Sequence, residues 1–188
     1  MDVFTVEILG LKVNLLAQFF GLLFLIFLVI CYQKDKKGFL IYLSIAYVFC
    51  AVESALLYAY TNVACAVLCI IRNVAVLLYL RKGKELPKVL TAVFIIGILA
   101  IGVWAVFTGN WYDILPPALV MAHTLLTIQP KVFLLKTGSI FVEAGYLVFN
   151  LFIGSYIGVV RQIFAVSAAV IGVIKYKKTA KKAIAAAE

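Results

Sequence analysis

An all-α membrane protein with seven transmembrane helices, grouped three, one and three, is the fold class this sequence predicts, and three observations carry it. Hydrophobic residues make up 66% of the chain and charged residues 13%, too little polar material to cover a water-soluble globule of 188 residues. The apolar residues fall into seven runs, most of them close to the roughly 20 residues that cross hydrocarbon as a helix. A pair of rare ionisable residues recurs, with similar neighbours and spacing, in the first and the last parts of the chain.

The runs are 13–32, 39–59, 63–80, 89–108, 114–128, 132–150 and 155–174. They are predicted as helices because hydrocarbon leaves no partner for unpaired backbone groups, and they are too long and continuous for barrel strands. Residues 1–188 form a single membrane domain: a first three-helix unit over 13–80, a linker helix over 89–108, a second unit over 114–174 and a basic tail over 175–188. The stretch before the first run carries Asp2 and Glu7, whereas a cleaved secretory signal opens with positive charge, so the first span is expected to be permanent. The fifth run is the shortest, and Pro116 and Pro117 stand at its first turn, where a missing N–H costs little.

The net charge of +9 could suggest nucleic acid, but the basic residues lie between apolar runs and not on a soluble face, so no nucleic-acid partner is expected. The charge reads as topology. Lys34, Lys36 and Lys37 follow the first helix; Arg81, Lys82, Lys84 and Lys88 the third; Lys131 and Lys136 flank the turn after the fifth; Lys175, Lys177, Lys178, Lys181 and Lys182 follow the seventh. Seven spans put all of these on one side and leave Lys12, Asp2, Glu7 and Asp113 on the other, so the amino terminus is expected outside and the basic tail in the cytoplasm. Trp111 and Tyr112 fit an anchor at the outer interface. The tail reads equally as a helix lying on anionic lipid or as a frayed end.

Val52-Glu53-Ser54-Ala55 followed by Ile70-Ile71-Arg72-Asn73 is matched by Val142-Glu143-Ala144-Gly145 followed by Val159-Val160-Arg161-Gln162, with Glu-to-Arg spacings of 19 and 18. A duplicated three-helix unit explains this. Three spans are odd in number, so a second copy placed directly after the first would be inverted; one linker helix restores a parallel orientation. Repeats of this kind in transporters hold the substrate between the halves near the midplane.

The arrangement resembles the SWEET, PQ-loop and PnuC superfamily. More closely, Leu16-Ala17-Gln18-x-x-Gly21, the basic turn after it, Ile71-Arg72, Ile114-Leu115-Pro116 and Asn150-x-x-x-Gly154-Ser155 are similar to the YgjV family of bacterial inner-membrane proteins. Ala17-Gln18 stands where the superfamily has a Pro-Gln pair, and Gln129-Pro130 has the reverse order at a helix end. The resemblance implies a SWEET-like fold, a bacterial inner (plasma) membrane location and two parallel three-helix bundles.

Charge near the bilayer centre costs roughly 2.5–3.5 kcal/mol on insertion scales, so Glu53, Arg72, Glu143 and Arg161 each need a partner or a cavity. Each Glu lies at the depth of the Arg in its own repeat, which predicts two buried ion pairs, Glu53–Arg72 and Glu143–Arg161. These pairs either clamp their hairpins or turn an arginine toward a solute carboxylate or phosphate. Asn73 and Gln162 occupy equivalent positions in the two repeats. Their amides serve as interhelical bonds or as solute ligands. In SWEET-like transporters asparagines of the third and seventh helices contact substrate, so the resemblance favours these two. Gln18 and His123 sit in the first helix of each unit; the histidine is either packed in place or proton-coupling. Trp104, Tyr47, Tyr58, Tyr79 and Tyr146 could stack on a solute ring and rank below the amides.

Cys31, Cys50, Cys65 and Cys69 lie in apolar runs without a CxxC, so packing is expected and no disulfide framework or metal site. There is no Walker loop, GxGxxG or HExxH, and a single histidine; neither an enzyme nor a cofactor is expected. The expected partners are the lipid bilayer and a small-molecule solute, with a second copy of the chain as a further candidate. Two functions fit: a facilitator or secondary carrier for a small polar solute, and a non-transporting structural or regulatory membrane protein acting on a partner protein.

Overall fold

A computed structural model describes residues 5–8, 11–108, 111–129, 131–152 and 156–185. Asp2, Gly109, Asn110, Pro130, Gly154 and Ser155 lie outside the described residues, as do the side chains of Glu7, Lys12, Trp111, Tyr112, Lys181 and Lys182.

The chain opens on a feature the apolar runs did not announce. Strands β1 (Thr5–Ile8) and β2 (Leu11–Asn14) pair antiparallel, with Thr5 opposite Asn14 and Ile8 opposite Leu11. Seven α-helices follow among the described residues, with one 3-10 turn (Trp111–Ile114) before the fifth: α1 (Leu15–Tyr32), α2 (Lys36–Leu56), α3 (Tyr60–Arg81), α4 (Lys88–Thr108), α5 (Leu115–Ile128), α6 (Val132–Phe152) and α7 (Tyr156–Ala185). Six are long and apolar enough to cross a membrane; α5, with 14 residues, rises only about 21 Å. Helix α1 begins at Leu15 and not at residue 13, because Val13 and Asn14 end the hairpin and the Asn14 side chain then caps the helix by accepting from the Ala17 N–H at 3.1 Å. Asp35 caps α2 in the same way through Gly38 N–H. Helix α7 runs on into the basic tail as far as Ala185, one 30-residue helix that continues beyond the expected end at residue 174.

Helices α1, α2 and α3 pack in succession, as do α5, α6 and α7; α4 touches α3 and α5, and the two groups meet through α1 against α7 and α3 against α5. The short connections that carry Lys34, Lys82 and Lys131 define a basic end. An apolar cluster closes this end, formed by Leu28, Tyr32, Phe39, Leu40, Leu135 and Ala169 from both groups. Polar contacts tie the groups together there: Lys136 Nζ donates to the Tyr32 carbonyl at 2.9 Å, Gln33 Nε2 to the Ala168 carbonyl at 3.2 Å, and Lys36 Nζ to the Gln129 carbonyl.

At the opposite end, α2 passes to α3 through Leu57, Tyr58 and Ala59. The Tyr58 N–H donates to the Ala55 carbonyl and the Ala59 N–H to the Ser54 carbonyl, the double closure usually built on glycine; Tyr58 adopts it with a φ of 58°. The equivalent closure after α3 uses Gly83, at φ 65°.

Candidate functional site

Between the two helix groups lies a cavity of about 260 Å³. Its depth along each helix is consistent. On α2 it is lined by Tyr47, Glu53 and Ser54, and just beyond by Leu57 of the turn, while the apolar cluster takes Phe39, Leu40 and Leu43, nearer the basic end. On α7 it is lined by Gly158, Arg161 and Gln162, while the cluster takes Ala165, Ala168 and Ala169. The cavity therefore reaches the Leu57–Ala59 turn at one end and stops against close-packed side chains at the other.

The four charged residues of the repeat do not pair as their depths suggested. Arg161 of α7 reaches across to Glu53 of α2, its Nη1 donating to both carboxylate oxygens at 2.6 and 2.7 Å. What permits this is Gly21 of α1, where an added Cβ would stand 2.6 Å from Glu53 Oε1 and 3.0 Å from Arg161 Nη1. The missing side chain leaves the space in which the two groups meet. The guanidinium also stacks over Phe24, 5.2 Å from the ring centroid.

Arg72 has no carboxylate partner among the described residues. Its Nη1 donates to Thr124 Oγ1 at 2.6 Å, and Nε and Nη2 to Asn73 Oδ1 at 3.1 and 2.7 Å. It is 1% exposed, Asn73 and Thr124 0%. Arg72, Asn73 and His123 line no part of the cavity, so three of the six expected solute ligands lie in a packed layer behind it. His123 Nδ1 lies 3.4 Å from the Tyr47 hydroxyl, while His123 Nε2 and Asn73 Nδ2 are buried without a hydrogen-bond partner. The other three, Gln18, Arg161 and Gln162, do line the cavity.

Glu143 faces the cavity as well, and its two oxygens accept from the Tyr32 hydroxyl and from Gln162 Nε2. Tyr32 and Lys136 were missed in the sequence because a tyrosine at the end of an apolar run, and a lysine near a turn, are ordinary interface residues. Here Tyr32 joins the cavity to the closed end: its hydroxyl meets Glu143 and its carbonyl holds Lys136. Of the ring candidates, Tyr47 and Tyr146 line the cavity; Tyr58, Tyr79 and Trp104 do not.

A family model described as "Bacterial inner membrane protein", Imp-YgjV, matches residues 15–180, which spans α1 to α7. The chain belongs to the Imp-YgjV family. With its six long apolar helices it is thus a multi-pass protein of a bacterial inner-membrane family. No curated protein and no solved structure matches it. Among the described residues of this Imp-YgjV chain, no three His, Cys, Asp or Glu residues gather in a way that could hold a metal ion. The cavity offers instead the hydroxyl of Ser54 and the amides of Gln18, Asn62, Asn150 and Gln162 in a largely apolar wall, the mixture that binds and orients a small polar molecule.

Proposed function

We propose that the protein carries a small polar solute across the inner membrane, as a facilitator or secondary carrier, and leaves it chemically unchanged. The observation that supports this is the cavity: both helix groups line it, and it is closed at the basic end by packed side chains. In this reading α1–α3 and α5–α7 are parallel repeats in a SWEET-like 3+1+3 arrangement, α4 links them, the amino terminus is outside and the tail is cytoplasmic. The described conformation is then open outward. Rocking of the groups would part the cluster around Tyr32 and Leu135 while closing the α2–α3 turn over the solute.

Reconstituted into liposomes, the protein is expected to take up at least one member of a panel of sugars, nucleosides, amines and organic acids faster than protein-free vesicles. Gln162→Ala should cut that uptake, measured per folded protein, about 10-fold, the scale of one lost hydrogen bond to a buried group, and should also lower the unfolding midpoint, because a buried Glu143 oxygen loses its donor. Uptake by no member of the panel from well-folded protein would favour the structural or regulatory reading.

A further inference from the structure

We propose that the solute carries one positive charge, an organic ammonium, and that Glu143 is the group that receives it. The inference rests on the carrier reading, because it concerns what enters that cavity.

Two carboxyl groups and one guanidinium line the cavity: Glu53, Glu143 and Arg161. Two of them cancel, since Arg161 Nη1 gives both of its bonds to Glu53. Glu143 has no such partner. It is 8% exposed, its oxygens accept from a neutral hydroxyl and a neutral amide, and no described cation forms an ion pair with it. The other cations nearby are turned elsewhere: Arg72 donates to Asn73 and Thr124, and Lys136 to the Tyr32 carbonyl. The remaining titratable groups around Glu143 are the hydroxyls of Tyr32 on α1 and Tyr47 on α2, the Cys31 thiol on α1 and, on α6 itself, the Tyr146 hydroxyl; all are neutral near pH 7.

Arg161, in the same cavity, acts on this carboxyl group only through space, because its Nη1 bonds go to Glu53, so Glu143 has neutral donors and no bonded countercharge. Each of its oxygens has two acceptor sites, and one on each is taken, so a further donor can be received. An ammonium in the cavity supplies charge and donor together. The aromatic lining favours the same sign, because the rings of Tyr47, Tyr146 and Phe149 present electron-rich faces, which attract cations and repel anions. An anionic solute would instead place a second uncompensated negative charge beside Glu143.

The test uses three probes of one shape and different charge: phenethylammonium, 2-phenylethanol and phenylacetate, each added to the full-length protein in detergent while thermal unfolding is followed. Phenethylammonium at about 100 times its Kd is expected to raise the midpoint by roughly 5 °C or more. The alcohol should give a smaller shift and the carboxylate none, and the ammonium shift should disappear in Glu143→Gln. Should that variant fail to fold, the wild-type protein decides. Dicyclohexylcarbodiimide, which modifies apolar-site carboxyl groups, should label Glu143, and phenethylammonium but not 2-phenylethanol should protect it. Equal shifts from ammonium and alcohol, a larger shift from the carboxylate, or protection by the alcohol would overturn the inference and leave the carrier reading standing. No shift from these probes or from any sugar, nucleoside or acid would overturn both.

Discussion

Arg161→Ala is expected to destabilise the folded protein by about 2–3 kcal/mol, because it leaves Glu53 as an uncompensated carboxylate between three helices. The figure sits below the 3–5 kcal/mol of a fully enclosed pair because the arginine side chain is 21% exposed to the cavity. Glu53→Ala should cost a similar amount, and the double variant clearly less than the two single costs added, since removing both partners leaves no unpaired charge. Denaturant unfolding of the four proteins in one detergent reads this coupling. The same cycle on Glu53 and Arg72 should be additive within about 0.5 kcal/mol. Coupling of Glu53 to Arg72 in place of Arg161 would contradict the arrangement described.

The second large effect falls at the closed end. Gly172 of α7 lies against α1 so closely that an added Cβ would stand 2.4 Å from the Tyr32 carbonyl oxygen. A side chain in the way could rotate aside, but a backbone carbonyl that also accepts from Lys136 cannot. Gly172→Ala is therefore expected to push α1 and α7 apart at a cost of about 1–3 kcal/mol, the range for overpacking an interior contact. Thermal unfolding would show this as a lowered midpoint. The strain should be partly relieved in Gly172→Ala/Lys136→Met, where the carbonyl is released. An unchanged midpoint in the single variant would mean that the two helices are not in contact at this level.

Much of the helical frame was legible because lipid leaves the chain little choice: an apolar run of about 20 residues must satisfy its own backbone, and the charge between runs marks the turns. The shortness of α5 was equally plain from Pro116-Pro117 and Gln129-Pro130 at its ends. The hairpin was not read, although Thr5-Val6-Glu7-Ile8 and Leu11-Lys12-Val13-Asn14 alternate with the period of a strand on either side of Gly10, and Asn14 is a good helix cap. The continuation of α7 through the lysines shows the limit of reading helix ends from hydropathy alone, since the last hydrophobic residue marks the end of the apolar run and not of the helix.

The site was legible in depth and not in direction. Spacing along a helix places Glu53, Arg72, Glu143 and Arg161 at their levels, but which neighbour each one faces depends on how the helices are rotated about their axes. That rotation is set by close contacts such as Gly21 and Gly172, which in the sequence are two glycines among 12. The repeat invited two equivalent pairs within the units. The observed pair crosses between units, and the two residues left over, Arg72 and Glu143, end in unlike surroundings, one packed against amide and hydroxyl groups and the other facing the cavity.

On the proposed carrier reading, the cavity opens at the α2–α3 end, toward the outside of the cell, and is shut at the basic end. This is tested by replacing Cys31, Cys50, Cys65 and Cys69 with alanine and introducing one cysteine at a time, Asn62→Cys in the cavity wall and Ala165→Cys in the closed cluster. A membrane-impermeant thiol reagent bearing a quaternary ammonium is then added to the outer face of spheroplasts. Rapid labelling at position 62 with protection at 165 is the expected result. Labelling at 62 only in inside-out vesicles, or none at 62 from either side in folded protein, would contradict an outward-open cavity.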